Sequence, residues 1–273
     1  MELNSLLFPA PQPSYDADTF PGEIIWIPQL KFKHLPSIPC LYLSCQKGSS
    51  KTIVFFHGNA EDIGLAYELL NYLRINLQVH IIGVEYPGYG IYEGECTEQR
   101  VNEDAVNVFQ FLLTTGIEPN EIILFGRSIG SGPACYLAST VQPASLLLMS
   151  AYTSIRDAVK CIAGKFAQYL IKERFRNIDN ITNVRCPVFL LHGQKDTMIP
   201  YGHSQDLRDK CAGPCSMILP ANMDHNEFDF FEDLALPFSA FLMQHGISIQ
   251  PTNISKAYLN FPAYLFKPPT NFQ

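Results

Sequence analysis

The 273-residue chain contains no run approaching the roughly 18 to 20 consecutive apolar residues that cross a bilayer. It has no Cys-x-x-Cys pair, no His-Glu-x-x-His and no other metal-ligand spacing, so neither a zinc ribbon nor a zincin centre is expected. Its glycines match neither a Walker A loop nor the dinucleotide fingerprint; Gly83, Gly88, Gly90 and Gly94 merely surround a turn. Charge is scarce as well. Only 16% of residues are Asp, Glu, Lys or Arg, and 19 basic against 26 acidic residues leave a net charge of −7. An acidic protein lacks the cationic surface that displaces counterions, so nucleic acid is not an expected partner. A purely electrostatic anchor on anionic lipid is excluded on the same ground. No cysteine precedes Cys40, the segment MELNSLLFPAPQPSY carries no basic leader, Glu2 follows Met1, and no CaaX box is present. Neither a secretory leader nor a myristoyl or prenyl group is therefore expected.

Apolar residues make up 47% of the chain, enough for a large core, and disorder is excluded on composition. The eight cysteines (Cys40, Cys45, Cys96, Cys135, Cys161, Cys186, Cys211, Cys215) are scattered in mostly apolar surroundings. Buried, reduced thiols of a cytosolic protein are the expected reading, with Cys211 and Cys215 flanking a Gly-Pro loop.

Short apolar runs alternate with longer amphipathic ones, the pattern of βαβ units in a largely parallel sheet. Strands are expected at 24–27, 40–44, 52–56 (TIVFF), 80–85 (HIIGVE), 121–126 (EIILFG), 146–149 (LLLM), 187–191 (PVFLL) and 217–219. Helices are expected at 62–75, 97–113, 130–139, 203–211 and 226–245 from their apolar stripes. Residues 152–183 read as a short, cap-like helical excursion after the sixth strand. Residues 1–50 read as a Pro-rich lead-in with antiparallel strands, 51–249 as one catalytic core, and 250–273 as an aromatic and Pro-rich arm.

The chemistry-bearing segment is Gly126-Arg127-Ser128-Ile129-Gly130, a G-x-S-x-G between a strand and a helix. A serine presented at a strand tip needs a sharp turn into the helix, and glycines two positions away make room for it. The amide of the following residue, at the helix N-terminus, then points at a developing oxyanion. An α/β-hydrolase fold places its acid and base downstream in the order Ser, acid, His. Asp196 in HGQKDTMIP follows a buried strand, and His225 in NMDHNEF follows the last one, so Ser128, Asp196 and His225 form the expected triad. Asp224, Asp157 and Asp179 are weaker candidates for the acid. The loop HGNA after TIVFF would supply the second oxyanion donor from the amide of Asn59 or Ala60, beside that of Ile129. His57, His34, His80, His192, His203 and His245 are read as structural or surface residues. Tyr152, Phe166 and Tyr169 are candidate walls of an acyl groove.

At HGNAEDIG, EYPGYG, GRSIGSGP, FRNIDNITNVRCPVFLLHGQKD and DHNEF the chain resembles the α/β-hydrolase domain-containing protein 17 family, serine hydrolases that remove palmitate from protein cysteines. The resemblance runs from about residue 6 to about residue 246 and places that family's nucleophile, acid and base on Ser128, Asp196 and His225. Glu85 stands where the family has aspartate, Arg127 where it commonly has glutamine, and its Cys-rich N-terminal segment has no counterpart.

The function expected from motif and resemblance together is hydrolysis of acyl esters or thioesters through an acyl-enzyme, of the palmitoyl-protein thioesterase type. A carboxylesterase, a monoacylglycerol lipase or an aminopeptidase of the same fold is the alternative, and a non-catalytic scaffold a second one. No cofactor is expected. The expected partner is an acylated protein or a small acyl ester, and the expected location is the cytoplasm with transient, peripheral membrane contact.

Overall fold

The computed structural model describes residues 8–164, 172–250 and 259–269. The chain divides into two compact units, Met1–Ile122 with Ile249–Gln273, and Ile123–Ser248.

The first unit carries strands β1 (Ile24–Ile27), β2 (Ile38–Leu43), β3 (Thr52–Phe56) and β4 (His80–Val84), in the order β1-β2-β4-β3. β2 runs antiparallel to both β1 and β4, whereas β3 and β4 are parallel, with Phe56 opposite Val84. Parallel neighbours need a crossover, supplied by helix α1 (Tyr67–Leu77), which buries Leu69, Leu70, Leu73 and Leu77. This helix begins five residues later than the apolar pattern suggests. The Asp62 carboxylate accepts from the Ser14 and Leu65 amides at 2.8 and 2.9 Å and holds the preceding residues in a turn. Helix α2 (Glu98–Thr114) starts where the Thr97 side chain accepts from the Arg100 amide, and it buries Val101, Ala105, Val108 and Leu112. The described part of the C-terminal arm packs here. Phe261 meets Tyr42 edge-on at 4.8 Å, and the Tyr42 hydroxyl donates to the Leu259 carbonyl.

The second unit carries β5 (Ile122–Arg127), β6 (Ser145–Met149), β7 (Val188–Leu191) and β8 (Cys215–Ile218), parallel and in sequence order. Their last residues are in register, Arg127 opposite Met149, Met149 opposite Leu191, and Leu191 opposite Ile218. The loops that follow therefore leave the sheet along one edge, which is where parallel sheets gather functional side chains. Helices α3 (Ser131–Thr140), α4 (Ile155–Ala163), α5 (Asn177–Asn180), α6 (Gly202–Lys210) and α7 (Leu236–Gln244) complete the unit. Phe125, Leu146, Leu148, Leu190 and Phe238 are wholly buried. The last helix is shorter than expected. The Asp229 carboxylate caps a wide π-helical turn at Phe230–Ala235, so residues 226–229 stay in the loop.

The excursion keeps α4 and α5, with residues 165–171 outside the described ones. None of the eight cysteines, all of them among the described residues, is in a disulfide. Cys161 is exposed, Cys211 and Cys215 half-buried, and the other five buried.

Candidate active site

Ser128 follows β5 directly and has φ +51°, a left-handed conformation that an L-residue adopts only under constraint. The constraint is visible in its neighbours. A Cβ on Gly126 would strike the Gly130 carbonyl, so only glycine lets the chain fold back so tightly. The turn continues as a 3₁₀ segment over Ser128–Gly130 into α3. The Ile129 amide thus lies in the first turn of a helix, where N–H groups lack intrahelical acceptors.

Ser128 Oγ stands 3.0 Å from His225 Nε2, and His225 Nδ1 stands 2.7 Å from Asp196 Oδ2. The carboxylate accepts the hydrogen bond from Nδ1–H, so Nε2 is left to accept from the serine hydroxyl. All three residues belong to the second unit and are buried, at 7%, 5% and 8% exposure, which shields the array from bulk water. Asp196 Oδ1 accepts from the Met198 and Ile199 amides at 3.0 and 2.8 Å. Burial opposes its charge, but hydrogen bonds from His192, His225 and the Ile199 amide outweigh burial. They hold the carboxyl well below the usual carboxylate range.

His192, expected to be a structural or surface residue, stands behind Asp196. The signal for it was its place four residues before Asp196, in the same HGQKD loop. Arg127, a departure from the pattern of the family that the sequence resembles, donates from Nη2 to the Asn226 side chain at 3.0 Å and the His225 carbonyl at 3.3 Å.

Tyr152 is buried, and its hydroxyl donates to the Ile129 carbonyl at 3.1 Å. It leans on the turn after Ser128, together with Phe175, which fills the space beside Gly132. In this structure Tyr152 is 1% exposed and packed against that turn. Phe166 and Tyr169 lie outside the described residues. The weaker acid candidates have other partners. Asp157 accepts from Thr153 and Ser154, Asp179 pairs with Arg176, and Asp224 caps the amides of Asn226 and Glu227.

In the first unit, Asn59 Oδ1 accepts from the Tyr89 hydroxyl at 2.9 Å, and Ala60 has φ +56° in the loop after β3. The neighbouring His57 is wholly buried, with Nε2 2.9 Å from Glu85 Oε1 and Nδ1 2.9 Å from the Gly58 carbonyl. Both nitrogens face acceptors, which suits an imidazolium. Burial opposes that charge, but the Glu85 carboxylate outweighs it and raises the imidazole above its ordinary value. Among the described residues no group of three His, Cys, Asp or Glu side chains could hold a metal ion. Among them, too, no helix is long and apolar enough to cross a membrane.

A family described as an alpha/beta hydrolase of unknown function matches residues 40–165. Human alpha/beta hydrolase domain-containing protein 17B is 27% identical over 213 residues, covering 78% of this chain and 73% of that protein. The 17C protein of Xenopus tropicalis is 28% identical over 193 residues, covering 70% and 61%. Mouse alpha/beta hydrolase domain-containing protein 10 superposes with a TM-score of 0.62 at 18% identity, over 81% of this chain and 98% of that one. The expected fold is thereby shown: the chain has the α/β-hydrolase fold. Its resemblance to the protein 17 family is likewise supported, and the comparisons together indicate a hydrolase.

Proposed function

We propose that the protein is a serine hydrolase that cleaves acyl esters or thioesters through an acyl-enzyme on Ser128. The observation that carries this reading is the Ser128–His225–Asp196 chain, with contacts of 3.0 and 2.7 Å in one unit. Ser128 Oγ adds to the acyl carbonyl while His225 Nε2 takes its proton. Asp196 keeps the imidazole in the Nδ1–H tautomer and offsets the charge it acquires. The Ile129 amide faces the developing oxyanion. His225 then returns its proton to the leaving alcohol or thiol as the acyl bond breaks. Water, deprotonated by the same imidazole, hydrolyses the acyl-enzyme and restores the serine.

A long-chain protein thioester is the substrate class that the family resemblance implies, and the cytoplasm with peripheral membrane contact is the matching location. The test has two parts. A fluorophosphonate probe should label the wild-type protein at one site and leave Ser128→Ala unlabelled; labelling of the variant would remove Ser128 from the mechanism. Across a panel of p-nitrophenyl esters, acyl-cysteine peptides, acyl-CoA and peptide amides, kcat/KM should peak on medium- or long-chain thioesters. A peak on acetyl esters or on amides would replace that substrate class.

A further inference from the structure

The loop that carries His225 is held on two sides by different means. Toward the acid, the Lys195 amide donates to the Met223 carbonyl at 3.0 Å. Gly193 lies so close to that carbonyl that a Cβ would strike it. Within the loop, Asp224 Oδ1 accepts from the amides of Asn226 and Glu227 at 2.8 and 2.7 Å. Toward the nucleophile the tie is Arg127. Its Cα belongs to β5, in register with Met149, and is therefore fixed by the sheet. Its Nη2 reaches a position 98 residues away in sequence, donating to the His225 carbonyl at 3.3 Å and to Asn226 Oδ1 at 3.0 Å. Its guanidinium carbon stands 6.0 Å from the centre of the Phe228 ring, within cation–π range.

We propose that Arg127 is a positioning residue that locks the His225 loop to the nucleophile strand and keeps Nε2 within proton-transfer distance of Ser128 Oγ. The inference rests on Ser128 being the nucleophile. The chemistry suits arginine. A planar fork can hold a carbonyl, an amide oxygen and an aromatic face together, whereas a lysine ammonium is a single point charge on a flexible stem. Arg127 is the residue directly before Ser128, so any shift of the strand tip carries the base loop with it. The contacts go to the backbone and neighbours of His225, so Arg127 acts through the base. Misplacement of a catalytic group by about 1 Å costs on the order of 10²-fold in rate, which is the scale on which such a tie matters.

The test follows the rate of fluorophosphonate labelling, together with kcat and KM on a p-nitrophenyl ester, in the full chain. Arg127→Ala should slow labelling and lower kcat by about tenfold or more, with KM within about twofold of wild type, the signature of a lost transition-state alignment. Arg127→Lys should recover part of the loss, and added methylguanidinium should recover part of it in Arg127→Ala. Asn226→Ala should show a smaller defect. The double variant should be no slower than Arg127→Ala, because the amide has already lost its partner. Wild-type labelling by Arg127→Ala, a loss confined to KM, or additive defects would each overturn the proposal. If Arg127→Ala fails to fold, Arg127→Lys and the exposed Asn226→Ala carry the same comparison. An unlabelled wild-type chain would bring down the nucleophile reading itself. Equally fast labelling of wild type, Arg127→Lys and Asn226→Ala would remove only the role of Arg127.

Discussion

His192 Nε2 lies 2.7 Å from the Ile199 carbonyl and 3.3 Å from Asp196 Oδ2, while its Nδ1 lies 2.7 Å from Ser204 Oγ. A carbonyl can only accept, so Nε2 carries a proton directed between Ile199 and Asp196, and Nδ1 shares a hydrogen bond with the Ser204 hydroxyl. The ring is wholly buried, so this arrangement is set by its surroundings and leaves a donor permanently aimed at Asp196.

Replacing His192 by alanine removes that donor and opens a cavity. The expected result is a loss of about 2–4 kcal/mol in urea unfolding at neutral pH, the usual range for a large-to-small core change. A fall in labelling rate should accompany it. The pH dependence has a definite sign. A carboxyl held below its unfolded value, about 3.9, contributes stability above that value, and the contribution is lost as pH falls through the folded pKa. With one donor gone the depression shrinks, so acid unfolding should begin at a higher pH in the variant. An unchanged acid limb would separate His192 from Asp196.

Glu85→Gln tests the buried pair with His57. Removing one partner of a buried ion pair typically costs about 3–5 kcal/mol, and Glu85→Asp, which keeps the charge, should lose less. The imidazole is raised in the folded state, so its contribution is fully present below the unfolded value, about 6.5. That contribution is lost as pH rises through the folded pKa. Wild-type stability measured from pH 6 upward should therefore decline with a slope that Glu85→Gln lacks. Parallel curves for the two proteins would count against an imidazolium at His57.

Gly126→Ala and Gly193→Ala each drive a Cβ into a backbone carbonyl, of Gly130 and Met223 respectively. Backbone cannot step aside as a flexible side chain can, so each should cost about 2 kcal/mol or more. Gly202, with open space around its missing Cβ, is the control and should accept alanine with a change of about 0.5 kcal/mol or less. Equal melting temperatures for all three variants would refute the packing argument.

Tyr152→Phe keeps the buried ring and deletes only the hydroxyl that donates to the Ile129 carbonyl. The carbonyl keeps the Ser131 amide as a partner, so the lost hydrogen bond should cost about 0.5–1.5 kcal/mol. Slower labelling of Ser128 should follow, because the turn after the nucleophile is less firmly held. A change in acyl-chain preference at an unchanged labelling rate would instead return Tyr152 to the role of groove wall.

What the chain alone determined is local. TIVFF and HIIGV read as strands because every residue in them is buried, so their apolar runs are unbroken. The G-x-S-x-G segment, and the order of Ser128, Asp196 and His225, are legible because strained turns and strand-end loops leave characteristic residues. The start of α1 and the end of the last loop were misjudged by several residues. There Asp62 and Asp229 divert the backbone from a helix that the apolar stripe alone would have continued. The contacts of Tyr152, His192 and Arg127 were decided by tertiary structure. Tyr152 pairs with a carbonyl 23 positions back, and Arg127 grips a loop 98 positions on. His192 sits in the acid's own loop, yet its proton is placed only by burial against Ser204 on α6. The absences in the sequence are grounds for expecting neither a metal centre, by ligand pattern, nor nucleic acid, by charge. Three-dimensional packing alone could choose which polar side chains stand around Ser128, Asp196 and His225, because that choice depends on hydrogen bonds that the sequence does not spell out.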